Sequence, residues 1–157
     1  MKDFIFLGGD LRFLYAAAKL NQEYNCAVYG FDSLPDVEEQ VHKDTGVEIL
    51  RSPRRCKNIV LPLPMSRNCD YITAPYHSKR MSINSVTDYT EEGATVYCGR
   101  ACDSLREICR RNSLTMIDYF EREELIVLNA AIAAFEISPK PTIHATIFDF
   151  VRPYIIA

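Results

Sequence analysis

The sequence predicts an α/β domain built on a largely parallel sheet of about five strands, and three observations carry that expectation. Short apolar runs rich in β-formers recur along the chain, each too brief for a helix. Several of these runs end at glycine or proline, and stretches of helical character separate them. The first unit, Phe4-Ile5-Phe6-Leu7-Gly8-Gly9-Asp10-Leu11-Arg12, reads as a buried strand, a sharp turn and a helix start.

The elements follow in order. Asp10 is placed to cap the helix that runs on through Leu20, because its carboxylate can accept from the open N–H groups of the first turn. Leu11, Leu14, Tyr15, Ala18 and Leu20 give that helix an apolar stripe. Cys26 to Gly30 reads as a second strand and Phe31 to Pro35 as a loop. Asp32 ends the second strand, where dinucleotide-binding domains carry a ribose-binding acid, but without a glycine fingerprint a turn aspartate is the expectation. Asp36 to Lys43 suits a short surface helix, and Gly46 to Leu50 a third strand or an edge. Ile59 to Leu61 is a brief strand ended by Pro62 and Pro64. Met65 to Ser82 has no periodicity, and so long a loop in a compact domain is often functional. Ile83 to Tyr89 suits a short helix ending at Gly93, followed by a strand from Ala94 to Gly99. Asp103 is placed to cap a helix through Asn112 with Leu105, Ile108 and Cys109 facing inward. Leu114 to Asp118 is the next strand, and Glu121 to Phe135 a helix whose first turn is acidic, as the helix dipole favours. The alternation describes a three-layer domain of Rossmann-like or flavodoxin-like type.

Bulk composition narrows the function classes. At 157 residues the chain is one domain with room for a sizeable core. A net charge of −3 leaves no footprint for nucleic acid, and no apolar run reaches the length of a membrane span. No signal-peptide pattern opens the chain, so a cytoplasmic location is the expectation. The six cysteines, Cys26, Cys56, Cys69, Cys98, Cys102 and Cys109, lack metal-ligand spacing and are expected to be reduced core thiols, so no metal site is expected.

Two stretches are candidate sites, and both leave from the edge where open α/β sheets bind ligands. The first is Gly8, Gly9, Asp10 and Arg12. It lacks the G-x-G-x-x-G spacing of a dinucleotide site. Either it is a tight turn with a cap, or its amides and Arg12 hold a carboxylate or phosphate at the helix N-terminus. The second is the loop from Pro62 to Arg80, whose polar members are Ser66, Arg67, Asn68, Asp70, Tyr71, His77, Ser78, Lys79 and Arg80, with Pro62, Ser66, Arg67 and His77 singled out. His77 has no nucleophile or second ligand at motif spacing and is given no catalytic role.

Leu7-Gly8-Gly9-Asp10-x-Arg12, Val28-Tyr29-Gly30-Phe31-Asp32, Ile59-Val60-Leu61-Pro62 and Phe120-Glu121-Arg122-Glu123-Glu124 followed by Asn129 occur in that order. In this set, across residues 3 to 130, the chain resembles the N-terminal domain of the A subunit of dipicolinate synthase, an enzyme of bacterial spore formation. The resemblance implies a substrate-side domain, with Asn129 joining Gly8, Gly9, Asp10, Arg12, Pro62, Ser66, Arg67 and His77 as candidate substrate- or anion-binding residues. It also implies a full-length oxidoreductase in which a C-terminal Rossmann domain binds NAD(P). Such an enzyme makes dipicolinate from a dihydrodipicolinate-type intermediate, together with a B subunit that resembles a flavoprotein.

Two departures qualify that picture. The family's Asn-x-x-Pro-Thr-x-Glu-Gly segment is replaced by Asn129-Ala130-Ala131-Ile132-Ala133-Ala134-Phe135-Glu136, and no glycine fingerprint follows His144. The expected organisation is therefore a family-like domain over 1–137 and a divergent tail over 138–157. No cofactor is expected in this chain, and it is expected not to transfer hydride alone; a fragment, a truncated gene product and a stand-alone relative stay open. Expected partners are the synthase's B subunit or a separate Rossmann-domain chain. The alternative is a non-catalytic interaction or small-anion-binding module, dimeric through the apolar tail.

Overall fold

Six parallel strands form one sheet in the order β3-β2-β1-β4-β5-β6. They are β1 (Phe4–Leu7), β2 (Cys26–Tyr29), β3 (Glu48–Leu50), β4 (Cys56–Val60), β5 (Thr90–Cys98) and β6 (Thr115–Asp118). The structure, a computed structural model, describes residues 1–33, 43 and 46–121. Within them lie α1 (Leu11–Leu20), α2 (Val86–Tyr89) and α3 (Asp103–Arg111), with short 3-10 turns at Ile83–Ser85 and Tyr119–Glu121.

β1 is buried on both faces, which is why its sequence is continuously apolar. Its alternate side chains serve two cores. Phe4 and Phe6 pack with Phe13, Leu14 and Ala17 of α1 on one face. Ile5 and Leu7 pack with Ile59, Val86, Leu105 and Cys109 under α2 and α3 on the other. Helices on both faces of a parallel sheet make the three layers, and the fold is Rossmann-like. The strand order reverses between β1 and β4, so the crevice beyond their carboxyl ends is the natural ligand position.

Several local expectations change. Six strands replace about five, because Glu48–Leu50 pairs as a full edge strand on β2. In α1, Tyr15 is exposed and Phe13 is buried, its ring meeting Phe6 edge-on at 5.0 Å. Gly93 does not end a helix. It lies inside β5, at φ 65°, where the register between β4 and β5 shifts. The N-cap of α3 is Cys102, one residue before Asp103, which instead places its charge in the first turn.

Cys26, Cys56, Cys98 and Cys109 are buried and unpaired, and burial pushes their thiols up, Cys26 to about 12 and Cys109 to about 11. Cys69 is exposed and Cys102 half-buried, so these two are not core thiols as expected. Among the described residues no cluster of three metal-ligating side chains occurs, and no helix is long and apolar enough to cross a membrane. The expected helices at 36–43 (save Lys43) and beyond Glu121, Asn129 and the tail lie outside the described residues.

Candidate functional site at the carboxyl edge of the sheet

The Gly8-Gly9 turn is already filled by the protein itself. The Gly8 amide donates to the Tyr29 carbonyl at 2.8 Å and the Gly9 amide to the Thr73 carbonyl at 2.7 Å. Asp10 caps α1, one carboxylate oxygen accepting from the amides of Arg12 at 3.0 Å and Phe13 at 3.4 Å. Its second oxygen takes both Nε and Nη2 of Arg12, at 3.0 and 2.7 Å. Partial burial would raise the Asp10 pKa, but the Arg12 guanidinium outweighs it and holds the carboxyl below its ordinary value. This pairing explains how a cation is tolerated in the first turn of a helix, where the dipole alone disfavours it.

The segment after β4 is a strap that crosses the carboxyl edge strand by strand. Pro62 is buried at its root. The Met65 amide donates to Gly99 at the end of β5, Thr73 accepts from Gly9 at the end of β1, and Tyr76 accepts from Ser33 beyond β2. The strap is folded on itself by antiparallel bridges between Ser66 and Ile72 and between Tyr71 and Ser82. Met65, Ile72 and Met81 are buried beneath it. The aperiodic stretch is therefore ordered by contacts with distant strands rather than by local periodicity.

At the far end of the strap, Asp32 accepts from the hydroxyl and amide of Ser78 and is paired with Nδ1 of His77. The His77 ring packs against Tyr29 at 5.2 Å. Burial would raise the Asp32 pKa, but the hydrogen bonds from Ser78 and His77 outweigh it and hold the carboxyl well below the usual carboxylate range. Asp32 is thus a fastening point for the strap, and His77 is the group it fastens. A carboxyl whose folded pKa lies below its unfolded value stabilises above the unfolded pKa and loses that contribution as pH falls through the folded one. The stability difference between the native chain and Asp32→Asn should therefore be constant above about pH 5 and shrink below about pH 4. Urea unfolding at a series of pH values measures it, and a difference that stays constant into the acid range would remove Asp32 from this role.

Above the turn, the strap forms an open groove of about 600 Å³ lined by Arg67, Asn68, Tyr71, Thr73, Pro75 and Arg80 among others. Arg80 lies over the Tyr71 ring at 5.4 Å. Among the described residues neither Arg67 nor Arg80 has a carboxylate partner. The Thr73 hydroxyl is buried without a hydrogen-bond partner, although its residue lines the groove. Ser66 is turned inward, its hydroxyl donating to the Tyr71 carbonyl at 2.5 Å.

The structure thus pairs Asp10 with Arg12 beside the Gly8-Gly9 turn, lays Ile72 to Ala74 directly on Gly8 and Gly9, and places Arg67 in the groove that the strap forms. Ser66 and Pro62 belong to the strap's framework and His77 to its fastening. Tyr71 and Arg80, which fall within the candidate loop from Pro62 to Arg80 but are not singled out in it, line the groove with Arg67. Sequence reasoning missed Asp118, whose carboxylate accepts from the amides of Arg100, Ala101 and Phe120 and ties the β5–α3 turn to β6.

A search of curated protein sequences gives no match. Solved structures that share the fold include two A subunits of dipicolinate synthase. The A chain of dipicolinate synthase from Bacillus subtilis has a TM-score of 0.64 and 19% identity over 88% of this chain and 49% of its own. The A subunit of dipicolinate synthase from Bacillus halodurans has a TM-score of 0.62 and 20% identity over 79% of this chain and 42% of its own. The chain therefore spans about half the length of these relatives. The family model for the N-terminal domain of the dipicolinate synthase A subunit matches residues 3–120, three quarters of the sequence and nearly the whole described fold. This chain belongs to the family of dipicolinate synthase A-subunit N-terminal domains.

Proposed function

We propose that this chain supplies the substrate side of an oxidoreductase like the dipicolinate synthase A subunit, acting in the cytoplasm during spore formation, and that the strap groove takes a planar dicarboxylate. The observation that carries the reading is the pair of guanidiniums, Arg67 and Arg80, flanking a groove at the carboxyl edge without carboxylate partners among the described residues. Arginine presents a planar fork that matches a carboxylate, so two of them suit a ligand with two carboxylates. Tyr71 offers a ring face to an aromatic or partly reduced ring.

Hydride transfer is the chemistry of a nicotinamide, which the protein positions rather than replaces. The Gly8-Gly9 turn has neither the spacing nor open amides for a pyrophosphate, so NAD(P) is assigned to a second domain, as in a full-length oxidoreductase. What this chain's residues do is hold the two carboxylates and present one ring edge to that domain. The synthase's B subunit is proposed as a further partner.

Calorimetric titration with dipicolinate, and separately with NADP, tests this. Dipicolinate should bind and NADP should not. Arg67→Ala and Arg80→Ala should each weaken dipicolinate by roughly 10- to 100-fold, the worth of a charge-assisted hydrogen bond. Arg12→Ala should weaken it less, because Asp10 already holds that charge. Absence of dipicolinate binding, or binding indifferent to both groove arginines, would overturn the reading. The chain would then be better described as an interaction module.

A further inference from the structure

We propose that Tyr71 is a positioning residue, whose ring sets the Arg80 guanidinium in the groove before a carboxylate arrives. The inference rests on the dicarboxylate reading of the groove and adds to it how one of the two arginines is held. The guanidinium carbon of Arg80 lies over the Tyr71 ring, 5.4 Å from its centroid. Among the described residues Arg80 has no carboxylate partner, so the ring is what sets its place.

The hairpin within the strap explains why the two side chains meet. Tyr71 and Ser82 pair antiparallel, with the Ile72 amide donating to the Met81 carbonyl at 2.8 Å and the Ile83 amide to the Asp70 carbonyl at 3.0 Å. That pattern makes Tyr71 and Ser82 a non-hydrogen-bonded pair, in which facing side chains stand close. Successive side chains of an extended segment alternate between faces. Ile72 and Met81 accordingly go to the core, 4% and 5% exposed, while Tyr71 and Arg80 are exposed on the groove side. Arg80, two residues before Ser82, is then the diagonal neighbour of Tyr71, within reach of a long side chain on an aromatic ring. The Tyr71 backbone is itself fixed from two directions. Its amide donates to Asn68 Oδ1 at 3.3 Å, and its carbonyl accepts from Ser66 Oγ at 2.5 Å.

An arginine that grips a carboxylate gives up rotamer freedom, and that loss is subtracted from affinity. A guanidinium already resting on a ring has surrendered part of this freedom before the ligand binds. The attraction is between the cation and the electron-rich face of the ring, so the ring carries it and the phenol hydroxyl does not. A guanidinium held through its face also keeps its in-plane fork of N–H donors for a carboxylate. Tyr71 therefore acts on the ligand chiefly through Arg80.

Two measurements on the full chain test this, NMR without ligand and calorimetry with dipicolinate. In the free chain the side-chain methylene protons of Arg80 should be displaced upfield by the Tyr71 ring current, keep that displacement in Tyr71→Phe and lose it in Tyr71→Leu. Dipicolinate affinity should be unchanged in Tyr71→Phe and fall roughly fivefold in Tyr71→Leu. In an Arg80→Ala background the same leucine replacement should cost only about twofold, the remainder being the face the ring offers the ligand itself. All four variants should fold, since both side chains are exposed, and circular dichroism checks it. Unshifted Arg80 protons, or a Tyr71→Leu loss equally large with and without Arg80, would overturn the inference and leave the groove reading standing. Shifted Arg80 protons with no dipicolinate binding by the native chain would overturn the groove reading, and the role of Tyr71 with it.

Discussion

Asp118→Ala should destabilise the domain by about 3 kcal/mol, more than any surface substitution on the same edge. The carboxylate is 4% exposed and accepts three backbone amides, from Arg100 at 3.1 Å, Ala101 at 2.6 Å and Phe120 at 3.0 Å. Hydrogen bonds to an ionised acceptor are stronger than neutral ones, and removing a shared acceptor leaves several donors to be rehydrated at once. Arg106, at 3.8 Å, would also lose a nearby charge, although its closer ion pair to Glu121 remains. Asp118→Asn should be damaging too, at roughly 2 kcal/mol, because its NH₂ group would face an amide donor where an oxygen now accepts. Urea unfolding followed by circular dichroism gives both values. A midpoint unchanged for Asp118→Ala would mean that the β5–α3 turn holds its shape without the carboxylate.

Gly8→Ala should cost roughly 3 kcal/mol as well, from strain and collision together. Gly8 has φ 67°, and a Cβ built there would stand 2.6 Å from the Thr73 carbonyl oxygen. That oxygen is fixed by the Gly9 amide, so it has no room to withdraw without breaking the bond between strap and turn. Gly93→Ala is the internal control. Gly93 has nearly the same φ, 65°, but nothing lies within 4 Å of its built Cβ, so the cost should be about 1 kcal/mol. The difference between the two variants isolates the steric part. If they unfold alike, the strap does not press on the turn as described.

What could be read from the sequence follows from which interactions are local. Phe4–Leu7 and Cys26–Tyr29 announce themselves because a strand buried on both faces needs a continuous apolar run. The Asp10 cap is legible because its partners are two and three residues away. Gly93 misled because a glycine after a short helix usually stops it, whereas here it serves an irregular stretch inside β5. The strap was legible only as a place. Its three buried anchors, Met65, Ile72 and Met81, have no common spacing, since each answers to a different part of the sheet. The anion reading of Arg12 could not be weighed from sequence, because a carboxylate two residues away can cap a helix and hold a guanidinium with its two oxygens at the same time.

The strap also sets how this edge comes undone. One uninterrupted run of backbone covers the ends of β1, β2 and β5, and the Gly9 amide donates to it. Among the described residues, the anchors at all three strand ends lie on this one continuous stretch of chain. Lifting Thr73 from Gly9 slackens the path to Met65 on one side and to Tyr76 on the other. Lifting the strap from the ends of β1, β2 and β5 is consequently a shared event rather than three independent ones.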